Sequence, residues 1–346
     1  MSMRKAIIVH APEAEALRQE LLENGLLDPG RKIRKSQIDG QLFLEIPVKP
    51  GFEGIEGIKR LKTVEQENPE YYRKAQSLRG RLQELIPEKD LELVPSGWQV
   101  LGDIIVISID ARIEDWKYLI AEKLLEMYPS CRTIVRDLGI EGQFRRPRRE
   151  LLAGSSTETI HKENRCLLKL DVTKVMFSKG NLYEKKLMSS VGSEEVIVDM
   201  FAGIGYFSIP IAVHAGPRKI ISIEINPESY EFLQENISLN HVDKIIEARN
   251  GDCAELTPEN IADRVIMGYV GTTHHYLEYG IRAIKKDGGM LHYHETTPES
   301  LVFERPVSRI REAALRGGRQ VEVRECRRVK KYSPGVWHVV VDAWVY

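Results

Sequence analysis

The sequence predicts an α/β chain: a doubly wound parallel sheet in the C-terminal half, preceded by two smaller α+β units. Three observations carry this. From about residue 183, apolar runs alternate with amphipathic segments. "EEVIVDM", "RKIISIEI", "DRVIMGYV" and "GGMLHYH" have the character of strands, and "NPESYEFLQENISLN" and "THHYLEYGIRAI" that of helices between them. Gly203 and Gly205 then fall in "DMFAGIGYFSIP", between one strand and the helix after it. Finally, the chain before residue 180 carries two separate short strand-and-helix patterns.

In chain order, "KAIIVHA" predicts a strand. "PEAEALRQELLENGLL" predicts a helix with Pro12 near its start and Gly25 as its stop. "GQLFLEIPV" adds a second strand, and this unit is expected over 1–60. Residues 51–95 are charge-rich, and a linker is expected over 61–95. The middle unit, 96–180, starts with strands in "GWQVLGDIIVISID". The helix "EDWKYLIAEKLLEMYP" and the strand "RTIVRDLG" follow, then "QFRRPRRELLAG" and the strand-like "ETIHKENRCLLKLDVTKVMFS". The last unit, 181–346, ends in two β-rich runs joined at Ser333-Pro334-Gly335. An antiparallel hairpin at the sheet edge is expected there.

A chain of 346 residues can bury a proper core and hold two or three domains. No apolar run has the length of a membrane span. The first residues turn acidic after a short apolar core, which predicts a strand and helix and not a signal peptide. Cys131, Cys166, Cys253 and Cys326 form no CxxC pair, so a disulfide framework or zinc site is not expected and a reducing cytoplasm is. Net charge is −1. Bulk charge therefore does not draw the chain to nucleic acid, and any such binding must rest on local basic patches.

Glycine lets a strand-to-helix loop turn tightly and approach a ligand, although a lone GxG is more often a plain turn. Here it has company. Asp199 ends the preceding strand. Glu224 closes the next one, just before Asn226-Pro227 opens a helix, and Asp252 follows the third. A carboxylate at the second place can accept from both hydroxyls of a ribose, and one at the third from an adenine amino group. Taken alone, Glu224 is as readily a helix-cap acid. The third glycine of a dinucleotide fingerprint is replaced by Ser208, so a diphosphate is poorly served. An adenosine without phosphates fits better, which points to S-adenosyl-L-methionine.

These stretches, with "KVMFSKGNLYEKK", "GGMLHYHETTPE" and "KKYSPGVWHVVVD", resemble the archaeal branch of the tRNA guanine-37 methyltransferase and wybutosine-synthesis enzymes. The resemblance covers nearly the whole chain. It implies a small tRNA-docking domain, a middle domain and a class I (Rossmann-type) methyltransferase domain. After the fourth strand, the methyltransferase members carry Asn-Pro-Pro or Asn-Leu-Pro beside the target base. Here Met267-Gly268-Tyr269-Val270 stands in that place, without the amide that would contact the guanine edge. It is similar to the members that transfer the 3-amino-3-carboxypropyl group to a tricyclic precursor, 4-demethylwyosine, at position 37 of tRNA(Phe). The alternative is N1-methylation of guanine-37.

By the same resemblance, Ser178 and Lys185 contact the cofactor. Lys185 stands where related members usually have arginine, so the charge is kept and the bidentate fork lost; a solvated helix lysine is the competing reading. Glu224 and Asp252, with the Cys253 backbone, match the ribose and adenine positions. Arg145 aligns with an arginine used near the target base, and Glu184 with a proposed general base. Met267, Gly268, Tyr269, His292 and His294 are candidates for the base pocket. No third ligand follows the histidines at a fixed spacing, so no metal is expected. The runs "RRPRRE" and "RRVKKYSPG" are each ordinary charged faces by default; flanking a cofactor domain, they are candidates for phosphate contacts. Tyr332 is a candidate stacking residue or a packed hairpin tyrosine. The expected partner is tRNA(Phe) bearing the precursor, with no membrane partner and a monomeric state.

Overall fold

Hydrophobic spacing accounts for the first unit. Ala14, Leu17 and Leu21 share one face of helix α1 (Ala14–Glu23) and are buried with Ile7 and Val9 of strand β1 (Lys5–His10) and Ile46 of β3 (Gln41–Pro47). Strands β2 (Arg34–Ile38) and β4 (Thr63–Glu65) complete an antiparallel sheet in the order β2-β3-β1-β4. The computed structural model describes residues 4–38, 40–50, 61–70, 77–142, 145–178 and 181–346. The chain divides into a unit up to Ser77 and a second from Leu78 to Tyr346.

The linker expectation over 61–95 does not hold for its described part. Thr63–Glu65 pairs with β1 as a strand. Leu78 and Leu82 of helix α2 (Leu78–Leu82), Ile86, Leu91 of α3 (Glu88–Leu91) and Val94 are buried in one core. That core includes Ile105 and Ile107 of β6 (Ile104–Ile107), and Ile120 and Leu124 of α4 (Lys117–Met127). Helices this short show no periodicity, and the surrounding charges hid their few leucines. Residues 51–60 and 71–76, with Gln143, Phe144, Lys179 and Gly180, lie outside the described residues.

The middle sheet is β5 (Gln99–Leu101), β6, β7 (Thr133–Glu141) and β8 (Arg146–Ala153), in that order. A two-stranded ribbon follows, β9 (Glu158–Glu163) and β10 (Cys166–Asp171). Next come α5 (Leu182–Met188), β11 (Val196–Asp199), α6 (Ser208–His214), β12 (Lys219–Glu224) and α7 (Pro227–Leu239). The chain continues with β13 (Ile246–Asn250), α8 (Cys253–Leu256), β14 (Arg264–Met267), α9 (Leu277–Ala283) and β15 (Gly289–Pro298). It ends with α10 (Glu304–Arg316), β16 (Val321–Ser333) and β17 (Val336–Val345).

The large sheet runs β13-β12-β11-β14-β15-β17-β16, with the first five strands parallel. β17 is antiparallel to both neighbours, so the expected hairpin forms and places β16 at the edge. Alternating side chains feed two cores. Ile197, Ile220 and Ile266 pack with α6 and α7, while Val198, Ile221 and Val265 pack with α9 and α10.

β10, expected in the middle unit, is tied to α7. Asn236 and Asn240, one helical turn apart, exchange hydrogen bonds with the backbone of Lys169 and Leu167 at 2.6–3.0 Å. Two amides thus take the part of a partner strand along the ribbon's outer edge. Strand order reverses between β11 and β14, and in such sheets ligands bind outside the strand C-termini at that reversal. No helix among the described residues is long and apolar enough to cross a membrane.

Candidate active site

A pocket opens at that reversal, lined from the ends of β11, β12, β13 and β14. Beneath the pocket lies Asp199, which is fully buried. Asp199 Oδ2 accepts from Ser208 Oγ at 2.7 Å, and Oδ1 accepts from the Phe201 N–H at 3.3 Å. Ser208 Oγ accepts in turn from Ser222 Oγ at 2.7 Å. Burial pushes the Asp199 carboxyl up to about 6. Asp199 therefore holds the loop from beneath and does not line the pocket.

The two glycines divide the work. Gly203 lines the pocket at φ +57°, and a Cβ there would stand 2.6 Å from the Tyr206 ring. Gly205, at φ +101°, is not a lining residue. A Cβ there would come within 2.7 Å of Ile209 Cγ1 and 3.2 Å of Leu233 Cδ1, so it lets the loop pack on α6 and α7.

Glu224 closes β12 and faces the pocket. Its Oε2 accepts from the Gly203 N–H at 2.7 Å and its Oε1 from the Asn226 N–H at 2.8 Å. Burial raises its pKa, and these backbone donors oppose the rise. A carboxylate has about four acceptor sites, so two backbone bonds leave capacity for ligand hydroxyls. Asn226 caps α7 as the Asn-Pro pair predicts, accepting from the Glu228 N–H at 3.1 Å. Asp252 caps α8 through the Ala254 N–H at 2.8 Å and lines the pocket. Burial pushes the neighbouring Cys253 thiol up to about 12, so the thiol is neutral at physiological pH and is no nucleophile.

Aromatic rings wall the pocket, and the glycine reading passed over them although "FAGIGYF" carries three. Phe201 stacks on Tyr269 at 5.4 Å and meets Tyr276 edge-on. The Tyr206 hydroxyl donates to the Met176 carbonyl. Gly268 and Tyr269 line the pocket. A Cβ on Gly268 would stand 2.7 Å from the Phe207 ring, so this backbone is close-packed. Met267 is fully buried beneath and is not a lining residue.

At the far end Arg145, Ser178, Lys185 and His338 line the wall. Lys185 is not the solvated helix lysine of the competing reading. It is buried, ion-paired with Glu163, and its Nζ lies 4.6 Å from the Phe177 ring centroid. Ser178 Oγ accepts from Lys330 Nζ at 2.8 Å. Arg145 has φ +53° and donates to the Tyr332 hydroxyl at 3.4 Å.

Besides Asp199, Gly205 and Met267, three more expected site residues lie off the pocket wall. Glu184, 1% exposed, does not reach the pocket; Arg327 clamps both its oxygens at 2.6 and 2.9 Å. Arg327 also pairs with Asp342, which accepts from His292 Nδ1 at 2.6 Å. His292 is thus held in a buried charged network that runs on through Arg264 to Glu195. His294 is buried behind His338, 3.1 Å away. Burial pushes both of these imidazoles down to about 3. His338 is a further lining residue that the strand pattern missed.

The basic runs are partly consumed by the fold. Arg149 is buried on Asp137, Arg327 serves the Glu184 clamp, and Lys330 turns toward Ser178. Arg146 pairs with Glu228 at 3.0 Å, and Arg328 lies over the Trp337 ring.

A family model described as the TRM5/TYW2 methyltransferase domain matches residues 159–324. Models of the TYW2 N-terminal domain and the tRNA methyltransferase 5 N-terminal domain match 78–157 and 6–56. The chain is 41% identical over 278 residues to the tRNA(Phe) (4-demethylwyosine(37)-C(7)) aminocarboxypropyltransferase of Pyrococcus horikoshii; the match covers 79% of this chain and 99% of that protein. It is 34% identical over 343 residues to the tRNA (guanine(37)-N(1))-methyltransferase Trm5b of Pyrococcus abyssi, covering 98% of each. Among solved structures, P. horikoshii TYW2 in complex with MeSAdo is similar with a TM-score of 0.69 at 39% identity, covering 78% of this chain and 98% of that one. On its sequence, its fold and the glycine-loop pocket alike, the chain belongs to the TRM5/TYW2 family.

Proposed function

We propose that this chain transfers the 3-amino-3-carboxypropyl group of S-adenosyl-L-methionine to 4-demethylwyosine at position 37 of tRNA(Phe), releasing methylthioadenosine. The observation that carries the reading is the end of β14. Gly268 has no room for a side chain beside Phe207 and so offers no side-chain amide to the edge of a guanine. The 41% identity to an aminocarboxypropyltransferase supports it. Gly203, whose backbone has no room for a Cβ, and the adjoining Glu224 carboxylate fit a ribose.

When bound, the cofactor would supply a sulfonium-activated side-chain carbon to the base, with the neutral thioether methylthioadenosine as the leaving group. The chain's part is orientation, since a misplacement of about 1 Å can cost about a hundredfold in rate. Glu224 accepts from the ribose hydroxyls, and Asp252 with the Cys253 backbone meets the adenine. Ser178 and Lys185 hold the tail, and Arg145 positions the base. Glu184, clamped by Arg327, fixes α5 and with it Lys185.

The chain acts as a monomer in the cytoplasm, and its first unit helps dock the tRNA. One observation favours the rival reading, guanine-37 methylation: the match to Trm5b runs the full length and includes the first unit. Incubation with precursor-bearing tRNA separates the two. Methylthioadenosine is expected as the cofactor product, and S-adenosylhomocysteine alone contradicts the proposal.

A further inference from the structure

We propose that Lys330, which no resemblance assigned, is a specificity residue for the anionic end of the cofactor: it receives the tail carboxylate where that group passes Ser178. The inference rests on the reading above and deepens it.

Its run, "RRVKK", suggests an outward phosphate contact, but the fold turns this lysine the other way. Lys330 is half-buried, lies opposite His338 in the β16–β17 register, and donates to Ser178 Oγ at 2.8 Å. Both of those neighbours line the pocket. Burial lowers the Lys330 pKa first, and the charges of Arg145 and Lys185 lower it further. Arg145 and Lys185 line the pocket with Ser178, and Lys330 reaches the same wall through its bond to Ser178 without lining it. Lys185 is matched there by Glu163. Crowded like charges repel, and an anion that enters among them relieves the repulsion. Two anions could come this close: the carboxylate of the amino-acid tail, or a phosphate next to the target base. Ser178 and His338 line the pocket wall itself, which favours the carboxylate.

Calorimetry on the full chain tests this with two ligands that share the adenosine. S-Adenosylmethionine carries the carboxylate and methylthioadenosine lacks it. Lys330→Gln keeps a donor for Ser178 and removes the charge. It is expected to weaken S-adenosylmethionine binding tenfold or more and to leave methylthioadenosine within twofold of wild type, with Lys330→Arg restoring part of the loss. Equal losses for both ligands, or none for either, overturn the inference. So does a tenfold loss of tRNA affinity with cofactor affinity unchanged, which assigns Lys330 to a phosphate. If wild type binds neither ligand, the cofactor reading itself fails and this inference with it.

Discussion

Glu224→Ala lowers affinity for S-adenosylmethionine at least tenfold and also lowers thermal stability. The first effect follows from losing a charge-assisted pair of hydrogen bonds to the ribose, about 1.5–3 kcal/mol. The second follows from the protein's own bonds. Glu224 holds the Gly203 and Asn226 N–H groups at 2.7 and 2.8 Å, and Asn226 is buried. A buried donor left without a partner costs about 1–3 kcal/mol. Glu224→Gln is expected to be nearly as damaging as alanine. Both carboxylate oxygens accept from N–H groups, so the amide NH2 must face a donor whichever way it turns. Calorimetry and thermal melts of the two variants check this. A glutamine variant with wild-type affinity contradicts the two-acceptor role.

Arg327→Met is expected to destabilise the second unit by about 3–5 kcal/mol, the cost of leaving buried charge unpaired. Glu184 loses both of its arginine bonds, and Asp342 keeps only His292. Adding Glu184→Gln should restore part of the loss, because one of the orphaned charges is then gone. The acid limb of the stability curve carries a second sign. Burial pushes the Asp342 carboxyl up, but the bonds from His292 and Arg327 outweigh it and bring it from 3.8 to about 2. The folded pKa is depressed, so the unfolded chain binds the proton more readily between these values. The stability this group contributes is complete above about pH 4 and is lost as pH falls toward 2. In Arg327→Met that loss should be smaller. Urea titrations at pH 7 and across the acid range measure both; an unchanged midpoint at pH 7 contradicts the clamp.

Continuous apolar runs such as "VIVD" and "RVIM" made the central strands legible, because strands covered on both faces need no polar side. Gly203, Glu224 and Asp252 were legible as pocket residues for a related reason: Glu224 ends a parallel strand and the other two lie in the loops that leave one, where ligands bind. Asp199 stands at such a place too, yet its side chain points under the loop to Ser208. Which way a strand-end side chain turns depends on partners that local pattern does not name. Glu184 is the clearest instance. Its partner Arg327 is 143 positions away and reaches it only once β16 has joined the sheet. Lys330 and Lys331 look alike in the sequence; strand alternation puts them on opposite faces, and the register shift between Arg328 and Lys330 sets which face each takes. Helices α2 and α3, of five and four residues, were too short to carry a period.

The central claim is that this pocket presents the side-chain carbon of S-adenosylmethionine, not its methyl, to the base at position 37. The most direct test supplies cofactor labelled separately in the methyl and carboxyl carbons, together with precursor-bearing tRNA(Phe) and, in parallel, an unmodified transcript. The account predicts carboxyl label in the precursor-bearing tRNA, and methyl label in neither. Methyl label in the unmodified transcript, at a rate comparable to carboxyl transfer, contradicts it and makes the chain a guanine-37 methyltransferase.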